Sequence, residues 1–120
     1  MKDSTGVTNL DLTTMSAPVA YSVVCDMMNN PKTYLNHVIK VNGQFATSQD
    51  TLTGKRYFAC IVKDAATCCS RGLEFRLPDT CSYPEDYPEP GTEITVIGTF
   101  TTYTEGLFRY CTLTDVELSC

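Results

Sequence analysis

Seven cysteines in 120 residues, with no Trp and a single His, put thiol chemistry first among the things this chain could do. Three of the seven fall in one short stretch, Cys60-Ile61-Val62-Lys63-Asp64-Ala65-Ala66-Thr67-Cys68-Cys69. Thiolates hold zinc at about 2.3 Å in fours, commonly with two ligands separated by a few residues so that one turn presents both. A zinc-like site would use Cys60, Cys68 and Cys69, with Cys111 or Asp64 as the fourth ligand and Glu74 as a minor candidate. Cys68 and Cys69 are adjacent, so both face one ion only if a turn bends them together. Two other arrangements are open. Seven thiols in a small exported domain pair as disulfides and leave one free. Reduced cysteines also pack in cores as small apolar residues. A redox-active pair is disfavoured, because adjacent cysteines bridge poorly and no C-x-x-C at a helix start lowers a thiol pKa.

Other reactive groups are sparse. His37 has no Ser or Cys nucleophile arranged with it and reads as a surface histidine. Asp64 and Asp115 follow strands, where Asp bonds to backbone N–H groups and closes turns. No glycine loop for phosphate and no recognisable carboxylate pair is present, so the chain is expected to be non-catalytic. Its net charge is −5, and no basic run exceeds Lys55-Arg56, which disfavours a nucleic-acid partner because that affinity comes from clustered Lys and Arg. No apolar stretch approaches the roughly 20 residues of a membrane span. The segment Tyr83-Pro84-Glu85-Asp86-Tyr87-Pro88-Glu89-Pro90 holds two aromatics on a stiff backbone. It is read as a crossover whose tyrosines cover one end of the fold, with a partner or cation surface as the alternative; its acidic spacing does not specify calcium.

The elements that would position these groups follow from periodicity. Residues 1–14 are polar and expected as a tether, with Val7, Leu10 and Leu12 as possible anchors, ahead of one domain over residues 15–120. A helix is expected over about 16–30, with Ser16 as cap and Pro18 in the first turn. Val19, Ala20, Val23, Val24, Met27 and Met28 form its apolar stripe. After Pro31 the period becomes two. Strands are expected over Val38 to Phe45, Arg56 to Lys63 and Leu73 to Leu77, then Glu93 to Thr104 and Leu107 to Leu118 as a hairpin turning at Glu105-Gly106. Pro78 to Gly91 connects them as a loop.

One pattern occurs twice. Ile39-x-Val41-x-Gly43-x-Phe45 recurs as Ile94-x-Val96-x-Gly98-x-Phe100, and Tyr57-x-x-Cys60 with Asp64 recurs as Phe108-x-x-Cys111 with Asp115. Two related hairpins flanking a middle strand predict a mostly β fold, a five-stranded OB-like Greek-key barrel over about 36–118 with one N-terminal amphipathic helix. Its first and fourth strands should bend at Gly43 and Gly98.

In Asp64-Ala65-Ala66-Thr67-Cys68-Cys69, Gly72-Leu73-Glu74-Phe75, Gly98-Thr99-Phe100, Tyr103 and Tyr110-Cys111 the chain resembles small bacterial exported or lipid-anchored proteins of the Firmicute type. The likeness spans about Tyr34 to Leu118 and leaves out Cys25, Cys81 and Cys120. It implies an OB-like fold and an extracytoplasmic location, secreted or lipid-anchored with the signal outside this sequence. It implies no activity. The expected function is a cysteine-stabilised, non-catalytic binding or accessory domain for a protein or small ligand, or alternatively a thiolate metal-binding protein.

Overall fold

The switch of apolar period after Pro31 is realised as one helix followed by five barrel strands. The computed structural model describes residues 9–63, 70–77 and 81–119. The elements are β1 (Leu10–Asp11), α1 (Ala17–Asn29), β2 (Val38–Gln49), β3 (Arg56–Lys63), β4 (Ser70–Phe75), β5 (Glu93–Glu105) and β6 (Phe108–Ser119). Neighbouring strands run β2-β3-β4-β6-β5, and β5 returns to pair with β2. All barrel pairings are antiparallel except β4 with β6. The result is a closed, mixed five-stranded OB-like barrel with one short helix, which is the plan that the duplicated hairpins predict.

Closure depends on β2 serving two neighbours. From Val38 to Gln44 it pairs with β5, and from Gln44 to Gln49 with β3. At the crossover a Cβ on Gly43 would lie 2.4 Å from the Ile61 carbonyl oxygen and 2.7 Å from Cys60 Sγ, so only a hydrogen fits. Gly98 plays the matching part on β5. A Cβ there would come within 2.7 Å of Val116 Cγ2, and β6 opposite carries an extra residue between the partners of Ile97 and Thr99. Asp115, expected to close a turn, instead takes a left-handed φ of 53° inside β6 and forms this bulge, which increases the local bend.

The N-terminal segment, the helix and the third barrel strand differ from expectation in informative ways. Among the described residues the docked body already includes segment 9–14, ahead of Met15: Leu10 and Asp11 run parallel to Ile39 and Lys40, and Leu12 is buried. Two apolar side chains and a ready strand edge suffice to dock a segment whose composition is otherwise polar. The helical stripe is narrower than expected. Ala20, Val24 and Met27 are buried against β3 and β4, whereas Val19 is 50% exposed. It lies one residue, and so about 100°, off the seam. Ser16 occupies the N-cap position without making a side-chain cap bond. The third strand ends at Phe75 and leaves Leu77 beyond it.

Phe45, Phe75 and Phe100 fill the barrel with Ile39, Leu73, Ile94 and Leu113 around them. One end is covered by the proline-rich connection, where the Tyr87 ring stacks on Phe58 at 4.1 Å and meets Phe45 at 6.1 Å. The tyrosines of that loop therefore cap the core. Thr112 is fully buried, and its Oγ1 has no hydrogen-bond partner among the described residues. A buried hydroxyl without a partner costs stability. Thr112→Val keeps the shape and removes the hydroxyl, so it should raise unfolding free energy by about 1 kcal/mol in urea denaturation. Gly43→Ala should lower it by about 3 kcal/mol in the same measurement; an unchanged midpoint would contradict the close approach at the crossover.

Candidate functional site

Of the residues expected to converge on a metal, Cys60, Cys111 and Glu74 are among the described residues. Cys60, cross-paired with Phe45 and Leu73, is fully buried, and burial pushes its thiol up to about 12. It is a neutral core side chain. Cys111, on β6, is half-buried and packs against the core; burial raises its pKa, Arg109 opposes that rise and Glu74 adds to it. Cys25, Cys60, Cys81 and Cys111 are all free thiols. Among the described residues no three His, Cys, Asp or Glu side chains gather in a metal-holding group. Asp64, Cys68, Cys69 and Cys120 lie outside the described residues. His37 is exposed, and its ring meets the Tyr34 edge at 6.4 Å.

Glu74 leads to a different site. Strand alternation buries Cys60, Val62, Leu73 and Phe75 inside the barrel and turns Tyr57, Ala59, Ile61, Gly72 and Glu74 outward. On that outer face Ala46 pairs with Ala59 and Ala59 with Glu74, while Ile61 pairs with Gly72. Small side chains on three neighbouring strands leave a trough of about 290 Å³, floored by Ala46, Ala59 and Gly72 and walled by Tyr57, Ile61 and Glu74. A Cβ on Gly72 would sit 3.0 Å from Ile61 Cδ1, so any larger residue there fills the trough. A second cleft of about 230 Å³ shares Tyr57, Phe58 and Glu74 with it and adds Lys55, Arg56, Arg76 and Tyr87.

Glu74 is partly buried and hydrogen-bonded. The Tyr103 hydroxyl donates to it at 2.6 Å and Arg76 Nε at 3.5 Å. Across the same face Glu105 pairs with Lys55 and accepts from the Tyr57 hydroxyl at 3.0 Å. The Lys55 and Tyr57 bonds hold the Glu105 carboxyl below the usual range. The bond to Glu105 raises the Tyr57 pKa, and burial followed by Glu74 raises that of Tyr103. Arg76 lies 4.3 Å over the Tyr103 ring and Arg56 lies 4.6 Å over Tyr83. The two phenols are thus held protonated and Glu105 ionised, which suits oriented recognition and supplies no activated nucleophile.

The ends of the two hairpins flank this face and are tied to each other by the Lys55–Glu105 pair. Their tips carry Leu52 and Leu107, both almost wholly exposed, with Phe108 beside Leu107. Sequence reasoning missed the site because its members come from four strands. The alternation in Arg56 to Lys63 with Ala59 at its outward centre was the available signal.

No protein-family model matches the chain, and no curated protein matches it significantly. The likeness in the Cys68-Cys69 and Gly72-Phe75 motifs therefore lends no residue role to this face. Among the described residues no helix is long and apolar enough to cross a membrane.

The thiol environments make a direct prediction. In iodoacetamide labelling at pH 8 followed by peptide mass spectrometry, Cys25, Cys81 and Cys111 should react in the folded chain, while Cys60 should react only as the chain unfolds. Because the Cys60 pKa is raised from 9.0 to about 12 on folding, its stabilising contribution is complete below pH 9 and is lost as the pH rises towards 12. Cys60→Ala, less stable at neutral pH, should lose less further stability over that window in urea titrations.

Proposed function

We propose that this chain is a non-catalytic, extracytoplasmic binding domain that holds a small ring-bearing ligand on the outer face of β3 and β4. One observation carries the reading: a trough with a small-residue floor runs beside tyrosines and carboxylates whose orientation is set by bonds among themselves. Binding sites are concave, largely apolar and furnished with a few convergent polar groups, and this trough has all three properties. Its groups are ordered before any ligand arrives, so little conformational entropy remains to be lost on binding.

A tyrosine ring offers a flat apolar surface with a polar tip, matched to aromatic rings and to the apolar faces of sugars. Nucleic acid is the poorer match, since the chain carries a charge of −5 and phosphate backbones need clustered cations along their path. The extracytoplasmic location is supported by the number of cysteines and by the motif likeness to exported proteins. The four described free thiols add nothing to it.

The reading is tested by nuclear magnetic resonance titration of the full chain with benzoate, benzamide, galacturonate, galactose and an oligothymidylate octamer. At least one of the four ring compounds should shift the amides of Tyr57, Ala59, Gly72 and Glu74, and Gly72→Val, which fills the trough, should weaken that response at least fivefold. Shifts confined to other surfaces, or a stronger response to the oligothymidylate than to every ring compound, would overturn it.

A further inference from the structure

We infer that the tips of the two hairpins form a shallow insertion surface for a lipid bilayer, so that the chain rests on a membrane through Leu52, Leu107 and Phe108 without spanning it. Of the seven large apolar side chains that stand exposed among the described residues, Val19, Leu35 and Tyr83 belong to three separate segments, and single exposed hydrophobics are ordinary. The other four, Leu52, Leu107, Phe108 and Tyr110, belong to the two hairpins. Leu52 is 93% and Leu107 98% exposed.

Both apices are ordered, and neither needs a leucine to form. In the first, the Asp50 amide donates to the Lys55 carbonyl at 2.8 Å and the Gly54 amide to the Asp50 carbonyl at 2.7 Å, while the Leu52 amide donates to Asp50 Oδ1 at 2.8 Å. In the second, Glu105 pairs with Phe108 across the two-residue turn Gly106-Leu107, where Gly106 takes a left-handed φ of 62°. Turn positions ordinarily carry Gly, Asn, Asp or Ser, whose backbone freedom or side-chain bonds make the turn. Leucine supplies neither, and at these exposures it packs on almost nothing in its own chain. The Lys55–Glu105 pair joins the hairpins just behind their tips, which keeps the two apices together.

What stands behind the apices selects the occupant. Tyr103 and Tyr110 are cross-strand partners with rings 5.5 Å apart. They lie two residues behind Glu105 and Phe108, and so about 7 Å back at the strand rise. Lys55 lies over the Tyr57 and Tyr103 rings at 5.4 Å and 5.9 Å. Apolar tips backed by tyrosines and a lysine match the layering of a bilayer interface, where Tyr sits at headgroup level and Lys extends its charge to water. Segments that lie in that interface bury about 5–10 Å, which is the depth from the apices to the tyrosines. Around the tips Lys55, Arg56 and Arg109 stand against Asp50 and Glu105, and the whole chain carries −5. Attraction to anionic lipid therefore adds little, and apolar burial supplies the affinity. A protein partner is the poorer match, because two projecting turns offer it neither a groove nor a flat face.

The test is flotation of the full chain with vesicles of phosphatidylcholine alone and with vesicles that also contain phosphatidylglycerol. The chain should float with the first and no more strongly with the second, and added sodium chloride should not release it. Leu52→Ser combined with Leu107→Ser should lower the binding about tenfold or more, with an unchanged urea midpoint because both side chains are exposed. In the unmutated chain a spin-labelled lipid should broaden the amides of Leu52, Leu107 and Phe108 more than those of Ala59 and Gly72, which keeps the test independent of the variant. No flotation, or flotation that the double substitution leaves unchanged, would overturn the inference. Flotation confined to phosphatidylglycerol and lost in salt is adsorption by charge and would overturn it too. Self-association that needs both leucines and no lipid would assign the surface to a second copy instead. Ring-ligand binding is read at Ala59 and Gly72, so either reading can fail with the other left standing.

Discussion

A single close approach governs this molecule: the backbone of β2 passes Ile61 and Cys60 at Gly43 with room for nothing larger than a hydrogen. Without that contact β2 could pair with β5 or with β3, but not with both along one continuous strand. The sheet would then keep two open edges and lose the enclosed core around Phe45, Phe75 and Phe100. The bulge at Asp115 performs the complementary adjustment on β6, where Gly98 lets the bent strand come near. Closure is thus set by two glycines and one residue in a left-handed conformation, and the apolar side chains fill the space they create.

The outer face inherits its order from that closure. Once Cys60 and Val62 are fixed inside, alternation leaves Tyr57, Ala59 and Ile61 no choice but to face outward. The register then sets Ala46 beside Ala59, with Gly72 diagonally next to Ala59, as a floor. Lys55, Tyr57 and Glu105 join the β2–β3 hairpin to the β5–β6 hairpin, and Tyr103, Glu74 and Arg76 join β5 to β4. Exposed ion pairs contribute little individually to stability. Their effect here is positional, since they hold rings and charges around a trough.

Much of the barrel was legible because strand periodicity and glycine spacing are local properties. The Ile-x-Val-x-Gly-x-Phe pair identified the two strands that bend, and Pro31 marked the end of the helical pattern. Docking of Leu10 to Thr14 was not legible, since it depends on a strand edge that exists only after folding. The bulge at Asp115 resembles a turn in sequence and differs from one only through its partner at Gly98. The site was harder still. Cys60, Asp64, Cys68 and Cys69 attract attention because they are near in sequence, yet Cys60 points into the core. Tyr57, Glu74, Tyr103 and Glu105 are distant in sequence and meet only across the closed barrel.

The central claim is that this outer face receives a ring in its trough. A crystal structure of the full chain soaked with benzoate tests it most directly. The account predicts density for the ring over Ala59 and Gly72 beside Tyr57, with the Glu74–Tyr103 bond unchanged. Benzoate bound only elsewhere, with the trough left empty, would contradict it.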